Sequence, residues 1–154
     1  MRFRMVLLIA VIFCAILAAG CVSEAEQDKV FRDKTKTMTQ EISPILKDYA
    51  AKANAKDYSG LKTAATSLST RARFWYDTLD AVSVSTSMED AKRLILLSLE
   101  EAESAGDLTV KSIQRRDSGD ISGSVALLQE ATQHTTKSGS YMTTAIEKLP
   151  GKTG

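Results

Sequence analysis

Hydrophobic residues along this chain recur by fours and threes rather than by twos. Leu61, Ala65, Leu68, Ala72, Trp75, Leu79 and Val82 step along one face without a break, and so do Ile121, Val125, Leu128, Thr132, Thr135, Gly139, Met142, Ile146 and Leu149. An earlier segment repeats the spacing with Phe31, Met38, Ile42, Ile45 and Tyr49, and a third, Ala91, Ile95, Leu99 and Ala102, is disturbed at Gly106-Asp107. Stripes of this period mark helices that each pack through one apolar face with coiled-coil-like crossings.

Turn chemistry divides the stripes. Asp57 and Asp120 are each placed to cap a following helix, accepting from its free N–H groups. Ser87, with Asp90 three residues on, has the spacing of a capping box. Gly119 suits the left-handed position that closes a helix, and Pro150-Gly151 stops the last one. The pattern predicts helices over 23–55, 58–84, 88–118 and 121–148. Connections this short make neighbours antiparallel, so the expected fold is all-α, an up-down-up-down four-helix bundle.

Two breakers, Ser43-Pro44 and Gly106-Asp107, are expected to loosen the first and third helices at nearly the same height. They stand 63 residues apart, as do "DYSG" at 57–60 and "DISG" at 120–123. That coincidence predicts a duplicated hairpin, 23–85 and 86–148, although identity elsewhere at this shift is near chance.

The first twenty residues break the pattern. Arg2 and Arg4 precede an uncharged run over 5–20, longer than a usual signal core of about 7–15 residues and shorter than the roughly 20 of a spanning helix. Small residues then lead to Cys21. "LAAGC" resembles the lipobox of prokaryotic lipoproteins, with Ala18 where that family most often has Leu. The resemblance implies cleavage between Gly20 and Cys21 and acylation of Cys21. The alternative is an uncleaved anchor. Both keep Arg2 and Arg4 inside, so the bulk of the chain is expected outside the cell membrane. The expected organisation is a signal or anchor over 1–20, a tether over 21–25, the bundle over 26–149 and a tail over 150–154.

Charge and cysteine use narrow the partners. Without the two N-terminal arginines, 18 of the 20 basic residues face 19 acidic ones, a net of −1, which is no footprint for nucleic acid. With Cys14 in the apolar run and Cys21 at the lipid position, the exported part has no thiol for a disulfide or a thiolate zinc site.

Catalytic equipment is sparse. His134 is the single histidine and falls on an outer heptad position, where a solvated side chain is expected. Met38 or Met142 offers a haem one axial ligand only, and a chain with one histidine cannot build a di-iron bundle site. No catalytic residues, metal site or cofactor are therefore expected. The stretch "RARFWYD" stands out instead. It groups Arg71, Phe74, the only tryptophan, Trp75, and Tyr76. Folding the helices about their turns predicts a layer of Met38, Trp75, Leu97 and Tyr141, with Glu41, Arg71, Glu101 and His134 about one turn away. Such a layer is either core or the floor of a ligand pocket. The small seam residues Ala65, Ala72, Thr132, Thr135 and Gly139 either let helices approach closely or leave a cavity.

These features favour a membrane-tethered, non-catalytic module that binds another envelope protein, an envelope component or itself. The alternative is a small-molecule sensor or carrier, which by fold alone is similar to the four-helix extracytoplasmic ligand domains of prokaryotic chemoreceptors. The sequence has no second apolar span, so such a sensor is expected to signal through a separate partner.

Overall fold

A computed structural model describes residues 23–149; Arg2, Arg4, Cys14, Gly20, Cys21 and the Pro150-Gly151 stop lie outside them. The described chain is all-helical: α1 Glu24–Asn54, α2 Tyr58–Asp80, a 3-10 turn Thr86–Met88, α3 Glu89–Asp117 and α4 Ile121–Lys148. No helix among the described residues is long and apolar enough to cross a membrane.

Two of the connections are built alike. Lys56 and Gly119 take left-handed backbone angles, φ 56° and 87°. The next amide, of Asp57 or Asp120, returns to the carbonyl of Lys52 or Arg115 at 3.0 and 2.9 Å. The aspartate then turns into an N-cap: Oδ1 of Asp57 accepts from Gly60 N at 3.0 Å and that of Asp120 from Gly123 N at 2.9 Å. The other carboxylate oxygen pairs back to Lys52 at 3.0 Å and to Arg115 at 3.2 Å. Each feature recurs after 63 residues, in step with the sequence repeat.

The middle connection differs from expectation. α2 ends at Asp80 rather than 84, and Ser87 does not cap α3, whose N-cap position is Met88. Ser87 Oγ instead lies 2.9 Å from Ser85 Oγ. The turn is fixed from α1: Asp28 accepts from Ser85 N at 2.8 Å and from Ser85 Oγ at 2.7 Å. Satisfying Ser85 this way makes a local capping box at Ser87 unnecessary.

Neither predicted breaker breaks its helix. Pro44 lies inside α1 and Gly106 inside α3. Gly106 is buried where α3 crosses α2: a Cβ there would stand 2.6 Å from the Ala65 carbonyl oxygen and 2.9 Å from Ser69 N. The glycine is therefore a point of closest approach, not a loosened one.

α3 is the central helix, packed against α2 on one side and, most intimately, against α4 on the other. The α3–α4 contact is a ladder of small residues seven apart: Ala91, Ser98, Ala105 and Ser112 on α3, and Ser124, Ala131, Ser138 and Ala145 on α4. Seven of these eight are buried, Ser138 partly. Ser112 Oγ donates to the Ser124 carbonyl at 2.8 Å, while Ser98 and Ser138 donate reciprocally to each other's carbonyls at 2.9 and 2.8 Å. Hydroxyls that reach a facing backbone require that backbone to be close. Ala at the alternate rungs keeps it so.

This ladder turns α4 away from the predicted seam. Ile121, Val125 and Ile146 remain exposed at 58, 50 and 41%, where the sequence pattern placed them in the core. The α2 seam is as expected, with Leu61, Ala65, Leu68, Ala72, Trp75 and Leu79 all buried. α1 contributes Phe31, Met38 and Ile42 to the core. Its close backbone approaches among the described residues are to α2, and the side facing α4 is left open.

Candidate functional site

The opening is a groove of about 670 Å³ between α1 and α4. α1 supplies Met38, Ile42, Leu46 and Tyr49, the floor is Leu68, Ile95 and Leu99, and α4 supplies Leu128, Thr132, Gly139, Met142 and Ile146. The residues that the sequence assigned to the α4 seam thus line a space rather than meet α1. Both fates expected of small seam residues occur. Ala65 admits Gly106 closely, whereas Thr132, Thr135 and Gly139 border the groove.

The electrostatics of the groove follow from its composition. A quarter of the chain is charged, yet no Asp, Glu, Lys, Arg or His is among the described residues that line it. Its polar groups are hydroxyls and one amide, and several are already committed. Tyr49 Oη lies 2.7 Å from Thr109 Oγ1, and the Thr132, Thr135, Thr136 and Thr143 hydroxyls donate to carbonyls one turn back at 2.9 to 3.0 Å. Thr35 Oγ1 is the exception: occluded and without a hydrogen-bond partner among the described residues. The described lining holds no carboxylate, amine, guanidinium or imidazole. It can remove apolar surface from water and offer a few neutral hydrogen bonds.

The residues singled out from the sequence are only partly brought together. Trp75 Nε1 donates to Glu41 Oε2 at 3.0 Å, and Arg71 approaches the same oxygen at 3.7 Å. The Arg71 guanidinium also lies 5.7 Å from the Phe74 ring centre, and Phe74 meets Trp75 edge to face at 5.4 Å. Arg71, Phe74, Trp75 and Glu41 therefore form one cluster, with Trp75 buried and Phe74 49% exposed. None of these four lines the groove.

Of the predicted layer, Met38 and Trp75 are buried in the hydrophobic core and Tyr141 packs against it, which is the core alternative, and Leu97 lies apart. Met38 lines the groove, and Leu97 lines a shallower depression of about 470 Å³ on another face together with Tyr76, Lys92, Arg93 and Glu100. There the Glu100 carboxylate, then burial, hold the Tyr76 phenol above its ordinary value. Tyr141 packs against the hydrophobic core and borders neither space.

His134 also departs from expectation. Its side chain is only 24% exposed, and Nδ1 is hydrogen-bonded to Glu101 Oε2, with Lys137 4.0 Å from the other oxygen. This is an α3–α4 bridge beside the ladder. No group of three or more His, Cys, Asp or Glu among the described residues is placed to hold a metal ion.

Sequence reasoning missed Thr35, Leu46 and Thr136, and it placed Gly139 and Ile146 in the packed seam. The available signal was the abundance of Thr and Gly on the α4 seam, where a packed core calls for larger residues. Comparison with protein-family models, curated proteins and solved structures finds no match to the chain.

Proposed function

We propose that this chain is a membrane-tethered, extracytoplasmic, non-catalytic binding module that takes an envelope component into the α1–α4 groove. The single observation that carries this reading is the uncharged lining of that groove in a chain that is 25% charged. Solvated surfaces of such a protein collect charge, and an uncharged, largely apolar concavity along most of α4 is a binding surface by composition. Its volume, about 670 Å³, falls within the range of small-molecule sites, which favours the carrier or sensor form of the same reading.

The tether rests on the sequence. Cleavage after Gly20 and lipidation of Cys21 place the start of α1, Glu24, three residues from the lipid and the bundle close to the membrane. An up-down-up-down order is supported by the short connections. It is also supported by the α3–α4 partners, whose separations widen from 12 through 40 to 58 residues at Ser112–Ser124, Ser98–Ser138 and Asp90–Lys148.

The test is a photo-cross-linking residue placed in the full chain in its own membrane, once at Thr136 on the groove and once at the exposed Arg93 on α3. Adducts from the Thr136 site alone are expected. Equal adducts from both sites, or none from Thr136, overturn the groove reading. Intact mass of the same preparation is expected to show loss of residues 1–20 and added mass on Cys21.

A further inference from the structure

We propose that the α1–α4 groove is a site for one uncharged, linear-chain lipid drawn from the adjacent membrane and held non-covalently by its hydrocarbon chain. This deepens the binding-module reading and rests on it. Shape selects the class. From Leu128 to Leu149 the groove follows α4 for 21 residue steps, about 32 Å at 1.5 Å each. A volume of about 670 Å³ open to water centres over that length, widened by the ~1.4 Å radius of a water, gives a mean section of about 50 Å². An α-helix with side chains is about 10–12 Å across, roughly 80–110 Å² in section. The groove is therefore long and narrow. It admits an alkyl chain along its length but not the full width of a docked helix.

Charge selects further. Burying an ionised group here would leave it unpaired, since no counter-charge lines the space. The chain must therefore be neutral over the part that enters. Apolar walls at Ile42, Leu46, Met142 and Ile146 supply the contact.

Gly139 provides the test. It lines the groove, and a Cβ built on it meets nothing within 4 Å, so the position accepts a side chain without backbone strain or contact at its root. Full-length wild type and Gly139→Trp are extracted from their own membranes in a steroid-based detergent, which has no linear chain to occupy the groove. Native mass spectrometry of the wild type is expected to show one dissociable neutral lipid per chain, separate from any mass fixed at Cys21. Gly139→Trp is expected to melt at or above the wild-type temperature and to lose that lipid.

Wild-type protein is then titrated with 1-monoacylglycerols from octanoyl to tetradecanoyl, each below its micelle concentration. Affinity is expected to rise about fourfold per added methylene across the whole series, whose longest chain is shorter than the groove. Equal lipid on both variants, covalent lipid alone, or affinity indifferent to chain length overturns the proposal. A protein adduct at Thr136 without bound lipid overturns it while leaving the binding-module reading intact. The absence of any groove adduct or ligand removes both.

Discussion

A Cβ at Gly106 would stand 2.6 Å from the carbonyl oxygen of Ala65, whereas one at Gly139 would meet nothing. The same substitution therefore has opposite signs at two helical glycines. Gly106→Ala forces α2 and α3 apart and is expected to cost about 1–3 kcal/mol, the range of overpacking. Gly139→Ala gains helix propensity without a clash and is expected to add about 0.5–1 kcal/mol. Urea unfolding followed by far-UV circular dichroism measures both, and a loss at Gly139 would contradict the open groove.

The α3–α4 ladder makes a second contrast. Ser112→Ala removes the hydroxyl that reaches the Ser124 carbonyl but keeps the close approach, so about 1 kcal/mol is expected to be lost. Ala131→Leu puts three extra carbons where a residue is 1% exposed, and a loss of about 3 kcal/mol is expected. Comparable small losses from both would mean the helices are not held at close range.

The paired turns predict a third. Lys56 holds a left-handed backbone at φ 56° that suits glycine, while Gly119 already has glycine at φ 87°. Lys56→Gly is expected to stabilise by about 1 kcal/mol and Gly119→Ala to destabilise by a similar amount, both read from thermal melts.

Acid sensitivity follows from the N-caps. The Gly60 amide, then Lys52, hold the Asp57 carboxyl below its ordinary value. Lys148, then Arg93, do the same for Asp90. A carboxylate with a lowered folded pKa contributes stability above its unfolded value, about pH 4, and loses it as pH falls through the lowered one. Asp57→Asn is therefore expected to melt below wild type at neutral pH and to converge with it in acid. A gap that persists unchanged to pH 2 would show that the charge is irrelevant.

Glu41 and Arg71 differ in consequence although they are neighbours. Glu41→Ala leaves the nearly buried indole N–H of Trp75 without its acceptor and is expected to cost about 1–2 kcal/mol, with a shift in emission of the single tryptophan. Arg71→Ala removes a half-exposed partner and is expected to change stability by under about 0.5 kcal/mol. Equal effects would assign Arg71 a role its exposure does not support.

Helix number and limits were legible because heptad spacing and Asp-Gly turn chemistry are local signals, and Leu68, Leu79, Asp57 and Asp120 behave as read. The groove was not legible, for a physical reason. Heptad spacing says which residues share a face but not which neighbour that face meets. On α4 two stripes competed, one larger and apolar through Val125 and Met142, one small through Ser124 and Ala145. The small stripe packs because its facing stripe on α3 is equally small. That complementarity appears only when Ala91, Ser98, Ala105 and Ser112 are read against α4 rather than alone. The middle turn was missed because Ser85 is held by Asp28, 57 residues away.

α1 is fastened at few points: Asp28 at Ser85, Glu41 at Trp75, and Tyr49 at Thr109, with Phe31, Met38 and Ile42 as its buried apolar contacts. It is also the helix that continues toward the N-terminus. A pull from that end acts first on the helix with the fewest holds, starting at Asp28, and peels its fastenings in turn rather than shearing them together. The ladder-bound pair, α3 and α4, lies out of that line of force. Against a pull from that end the bundle is therefore mechanically graded, with a yielding strap nearest the N-terminus and a stiff pair behind it.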